Sequence, residues 1–166
     1  MPEIIPLGWF HIAIGLIAVF SGGFTLTKFK EISLHTRSGQ IYLASTLITA
    51  GTALAIFQHG EFGPGHALAV MTFLALAVGT VAATMKPFGK LSRHVQAVSY
   101  SSTLLFHSIP AVTDGLLRLP VSDPVLTSIE DPVLKMSYLG LLAIFLVGVS
   151  LQLRWINRQP AVEKTR

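Results

Sequence analysis

Four long apolar stretches of this chain begin near a histidine, namely His11, His35, His66 and His94, and His107 stands near the end of the fourth stretch. Histidine is scarce in membrane segments, because a polar group without a partner in hydrocarbon costs several kcal/mol. Imidazole ligates haem iron and other metals, and it carries protons. A b-type haem needs two imidazoles from facing helices at one depth. The chain offers His35 with His94 near one membrane surface, and a pair drawn from His11, His66 and His107 near the other. Gly39, one turn along from His35, is expected to let a flat porphyrin approach, with Tyr42 on the same face. His11, His66 and His107, together with His59 and Glu61, also make a candidate zinc or copper site. The plainer alternative is that these histidines cap and hydrogen-bond helix ends.

The elements that must position them are long and apolar. Half of the residues (51%) are apolar and only 12% are charged, and the mean hydropathy is +0.63, outside the balance of ordinary soluble domains. A helix needs roughly 20 apolar residues to cross the hydrocarbon core. Gly8–Leu26, Gln40–Phe57, Ala67–Met85, Val95–Val112 and Val133–Leu153 come close to that. A soluble helical protein would need charged outer faces, and the first and third of these stretches carry no charge at all. The expected fold is an all-α integral membrane protein. It has a four-helix transmembrane core over residues 1–115, a fifth, peripheral transmembrane helix over 133–157 and a tail over 158–166. The external connection, 116–132, contains Asp-Pro-Val-Leu twice, at Asp123 and at Asp131. Asp then Pro is an N-cap and first-turn signature, so a short interfacial helix is expected after Asp123 and the fifth span at Asp131 or Pro132.

Charge orients the spans. Lys28, Lys30 and Arg37 lie between the first two, Lys86, Lys90 and Arg93 between the third and fourth, and Arg154, Arg158, Lys164 and Arg166 after the fifth. Only Arg118 and Lys135 fall on the other side, so the positive-inside rule puts the N-terminus outside and the C-terminus in the cytoplasm. The net charge of +4 is thereby split into short juxtamembrane clusters, which argues against nucleic-acid binding. No Lys or Arg precedes Lys28, so the first stretch reads as a retained anchor rather than a cleaved signal. The absence of cysteine excludes disulfides, thiolate-ligated haem and cysteine-held iron–sulfur clusters. The spans contain no carboxylate pair, nucleophile motif or phosphate-binding loop, which leaves no basis for a hydrolase or transferase.

Residue spacing predicts which faces turn inward. The stripes are His11, Gly15, Ala18, Gly22 and Thr25 on the first helix, and His35, Gly39, Tyr42, Thr46 and Thr49 on the second. The third gives His66, Val70, Phe73, Ala77, Thr80 and Thr84, and the fourth Gln96, Tyr100, Thr103 and His107. Small and hydroxylated residues on one face are what membrane helices use to pack closely. The fourth helix, with Ser99, Ser101 and Ser102 beside its stripe, is expected to be the least lipid-exposed. His94 and His107 lie about 140° apart around it, so they cannot face one partner helix.

The run His35-Thr-Arg37-Ser-Gly39-Gln-Ile-Tyr42 resembles the His-Arg-x-x-Gly-x-x-Tyr signature of a bacterial membrane family known as domain of unknown function 2306. His11-x-x-x-Gly15, the His66 opening and His94 followed by Tyr100 are similar to the rest of its pattern, over residues 8–115. Thr36 stands where that family often has Arg, with Arg37 one place later. The resemblance implies a multi-pass protein of the bacterial inner membrane and carries no activity with it. The layout is also similar, more distantly, to small b-type cytochromes. Two function classes follow. One is an electron carrier that holds haem b on paired histidines, with a quinone or other membrane subunits as partners beside the lipid bilayer. The other is a cofactor-free accessory or assembly subunit of a larger membrane complex.

Overall fold

The computed structural model describes residues 4–57 and 62–159, so His59, Glu61, Lys164 and Arg166 lie outside the described residues. The elements are α1 (Pro6–Phe29), α2 (Arg37–Leu54), α3 (Pro64–Thr84), α4 (Ser92–Arg118) and α5 (Pro132–Arg158), with a 3-10 turn at Gly89–Leu91. Proline opens α1, α3 and α5, where its missing N–H costs nothing and its fixed φ already suits the helix. Thr36 caps α2 by accepting from the Gly39 N–H at 3.2 Å. Asp131 caps α5 by accepting from the Val133 N–H at 2.8 Å.

Successive helices pack side by side from α1 to α4, α1 touches α4 lightly, and α5 lies against the outside of α4. We call the end holding the start of α1 the outer end. Three of the described helices, α1, α3 and α5, are long and apolar enough to cross a membrane. Their large apolar side chains point away from the protein, Phe20 being 73% and Ile144 72% exposed. Such a surface is suited to an apolar solvent. α2 and α4 are less apolar because their polar residues are spent inside. Ser45, Thr46 and Thr49 of α2 and Tyr100, Ser101 and Thr103 of α4 are all buried.

The inward stripes of α1, α2 and α4 follow the spacing read from the sequence, with Ala18, Gly22, Thr25, Gly39, Tyr42, Thr46, Thr49, Tyr100 and Thr103 buried. The stripe of α3 does not. Its buried residues are His66, Ala69, Thr72, Leu76, Gly79 and Ala82, whereas Val70, Ala77, Thr80 and Thr84 are exposed. The helix is turned by about one residue from the expected face, near 100°. The cause is Tyr100, whose ring lies where a Cβ on Gly79 would be, 2.6 Å from Cε1. Only glycine admits that ring, so Gly79 must face in. Gly22 receives the Tyr42 ring in the same way, at 2.7 Å. The hydroxyls of Tyr42 and Thr103 stand 2.6 Å apart, and both reach the Tyr100 carbonyl, at 3.3 and 2.8 Å. The Tyr100 hydroxyl meets Thr80 at 3.0 Å.

The inner end is tied by polar groups from α4 and α5 to the connection between α1 and α2. Gln96 donates to the Ile32 carbonyl at 2.9 Å. Gln152 donates to the Lys30 carbonyl at 2.9 Å and accepts from Ser101 at 2.9 Å. Arg93 makes a bidentate pair with Glu31, 2.9 Å on each arm, and lies 5.3 Å from the Trp155 ring centre.

At the outer end the structure departs from the expected short helix after Asp123. α4 runs on to Arg118, and residues 119–131 form turns and bends without a helix. The N–H groups that would have begun that helix are used to close α4. Leu126 donates to the Leu116 carbonyl at 2.9 Å and Val125 to the Leu119 carbonyl at 3.1 Å. Leu126 is then buried with Leu117 and Leu134, which outweighs a helix made of exposed Thr127 and Ser128. Past that fold-back, Lys135 meets Glu130 at 2.8 Å, and its hydrogen bond and charge hold the Glu130 carboxyl below the usual carboxylate range.

Candidate functional site

The outer half of the bundle contains a cavity of about 670 Å³ between α1, α2, α4 and the segment after α4. α1 lines it with Trp9, His11, Ile12, Gly15 and Leu16, α2 with Thr49, and α4 with His107, Pro110, Ala111, Asp114 and Arg118. Leu119, Val121 and Pro124 add further apolar lining. The α4 members recur at three and four residues, so one helix face carries them all.

His11 Nδ1 lies 3.0 Å from the Thr52 hydroxyl. His107 Nε2 lies 3.2 Å from the Thr46 hydroxyl. One nitrogen of each ring is therefore held by α2, and Nε2 of His11 and Nδ1 of His107 are the ring atoms outside those two bonds. Among the described residues the full charges in the cavity are Asp114 and Arg118, paired at 3.2 Å one turn apart. The site thus combines apolar walls, two imidazoles and an ion pair. Volume and lining match those of sites for small organic ligands.

The other sequence-derived residues lie elsewhere. His66 caps α3: its Nδ1 accepts from the Gly63 N–H at 3.1 Å, and its ring sits between Phe57 and Phe62 at 4.5 and 5.1 Å. His66 is 6% exposed and its Nε2 has no hydrogen-bond partner among the described residues. His35 is exposed on the turn before α2. His94 places Nε2 2.6 Å from Asn157 Oδ1 of α5, and its buried Nδ1 has no hydrogen-bond partner among the described residues. A second hollow of about 480 Å³ between α2 and α3 is lined by neither His35 nor His94. Gly39 leaves room for backbone rather than for a porphyrin, because a Cβ there would collide with the Ser33 carbonyl. Tyr42 is wholly buried, bonded to α4. His35 and His94 thus line neither of the two hollows. Among the described residues no three His, Cys, Asp or Glu side chains come together as a metal site.

Asp114 and Arg118 are site residues that lie beyond the fourth apolar stretch, which the sequence alone ends at Val112. Their signal was present in the steps from His107 to Asp114 to Arg118, seven and then four residues, which continue the α4 face past Val112. Comparison with protein-family models, with curated proteins and with solved structures gave no match to this chain.

Proposed function

We propose that this chain is a five-span protein of a bacterial inner membrane that binds a small, membrane-soluble amphiphile in its outer cavity. The observation that carries the reading is the cavity itself, apolar-walled with two α2-braced imidazoles. It is bordered by α1 and α4, which touch lightly, and its rim residues Leu16 and Ala111 are exposed. A ligand carried in the bilayer can reach such a site sideways. In this reading α2 and α4 cross with the other three helices, their polar residues shielded by the bundle. Membership of the family resembled by the His35–Tyr42 run is part of the reading and rests on that motif.

Two experiments test it. Purified protein, extracted with organic solvent and analysed by mass spectrometry, is expected to yield a lipophilic ligand above the level of a detergent control. Ala111→Trp projects an indole from an exposed rim position and is expected to reduce that yield roughly tenfold, the equivalent of about 1.4 kcal/mol. Equal yields from both proteins at the control level would sink the proposal. For orientation, reporter fusions at the C-terminus and after Asp123 are expected to report opposite compartments, with Asp123 outside; one compartment for both would contradict five spans.

One observation favours haem b as a second reading, on the outer side. His11 has Nδ1 held by a hydroxyl and Nε2 outside that bond, the arrangement in which a ligating imidazole is braced through its far nitrogen. His107 would have to ligate through Nδ1, the opposite nitrogen. A dithionite-reduced minus oxidised spectrum separates the readings, and colourless protein from haem-supplied cells ends this one.

A further inference from the structure

We infer that the ligand class of the outer cavity is a quinone and its quinol, bound by the head between His11 and His107 with the tail running out between α1 and α4. The inference rests on the amphiphile reading above and narrows it. Among the described residues the two charged side chains that line the cavity, Asp114 and Arg118, are paired at 3.2 Å, so neither stands as a lone charge to recruit a carboxylate, a phosphate or an ammonium head. A neutral head needs no such charge and can be held by hydrogen bonds alone. The hydrogen-bonding atoms offered to it are the second nitrogens of two imidazoles, and each ring is backed by a threonine hydroxyl. A neutral imidazole has one N–H and one lone pair, and a hydroxyl can either donate or accept. The Thr52 hydroxyl also reaches the Ile48 and Thr49 carbonyls at 3.1 and 3.0 Å, so its proton has a resting place when it is not given to His11.

The far nitrogen of His11 can therefore present either an N–H or a lone pair, set by the tautomer that the Thr52 hydroxyl supports. That is the requirement for holding one molecule in two states, carbonyl oxygens that accept and hydroxyls that donate. Gly15 keeps one wall free of a side chain, and a Cβ there would only reach contact with Thr49 at 3.6 Å, which suits a flat ring. No electron transfer is assigned to the protein.

The chain has two tryptophans. Trp9 lines the cavity, while Trp155 lies against Arg93 at the inner end. Trp155→Phe protein in detergent therefore reports on the cavity through Trp9 fluorescence. A decyl-substituted benzoquinone is expected to quench it saturably, and the matching hydroquinone to compete with a similar Kd. His11→Ala and His107→Ala are each expected to raise Kd by about 3- to 10-fold, the loss of one hydrogen bond. Thr52→Val, nearly isosteric, keeps the imidazole but removes its backing, and is expected to weaken one redox form more than the other. This variant tests the idea even if a histidine variant does not fold. Quenching that never saturates, or that ignores all three substitutions, overturns the inference. Saturable binding of a fluorescent fatty acid without binding of the quinone overturns it too, and leaves the amphiphile reading standing. Binding of neither probe overturns both.

Discussion

Gly79→Val is expected to lower the stability of the bundle by about 1–3 kcal/mol, the usual range for overpacking a filled interior. A Cβ at this position would stand 2.6 Å from Cε1 and 2.7 Å from Cδ1 of Tyr100, and 3.2 Å from Cβ of Ser99. The ring cannot move away freely. Tyr100 is fully buried, and its hydroxyl is fastened to Thr80 at 3.0 Å. α3 and α4 must therefore separate, which also breaks the contact that orients α3. The measurement is the midpoint of thermal unfolding in detergent, beside Gly23→Ala in α1, where nothing lies within 4 Å. That control is expected to be neutral or to stabilise slightly, since alanine is the better helix former. If Gly79→Val melts with the control, the account of how α3 is turned fails.

Gln152→Leu is expected to loosen α5 by a comparable amount, about 1–3 kcal/mol, because it strands the buried Ser101 hydroxyl and takes a partner from the part-buried Lys30 carbonyl. Its amide joins Ser101 of α4 to the Lys30 carbonyl, at 2.9 Å each, and the side chain is 7% exposed. Lys30 has φ 64, a left-handed conformation that a non-glycine residue adopts at a cost. The bond from Gln152 is one of the contacts that hold it there. Adding Ser101→Ala removes one stranded partner, so the double variant is expected to be less destabilised than the sum of the two single changes. Strict additivity would mean that Ser101 and Gln152 do not act as a pair.

How far each feature could be read in advance depends on how local its cause is. The apolar stretches, the Pro and Asp131 starts, and the inward faces of α1, α2 and α4 follow from composition and three-to-four spacing, which depend on neighbours in the chain. The repeated Asp-Pro-Val-Leu shows the boundary. At Asp131 the motif caps a helix, and at Asp123 it does not, because Leu126 is drawn to Leu116 and Leu117 across the fold-back. An identical local signal gives two outcomes, and the difference lies in what each copy meets.

The histidines divide in the same way. Their presence at helix ends is plain in the chain, and so is the polar character of α4. Which of them share a space is set by helix rotation and by partners far away in sequence. Thr46 and Thr52 turn His107 and His11 toward one cavity, Asn157 engages His94, and the Gly63 N–H and two phenylalanine rings hold His66. Spacing along a helix fixes angles between its own residues to within a few degrees, but it carries no reference direction to the neighbouring helix. That direction comes from side-chain volume at the contacts. The rings of Tyr42 and Tyr100 seated on Gly22 and Gly79 set the faces of α1 to α4, and with them which imidazoles meet.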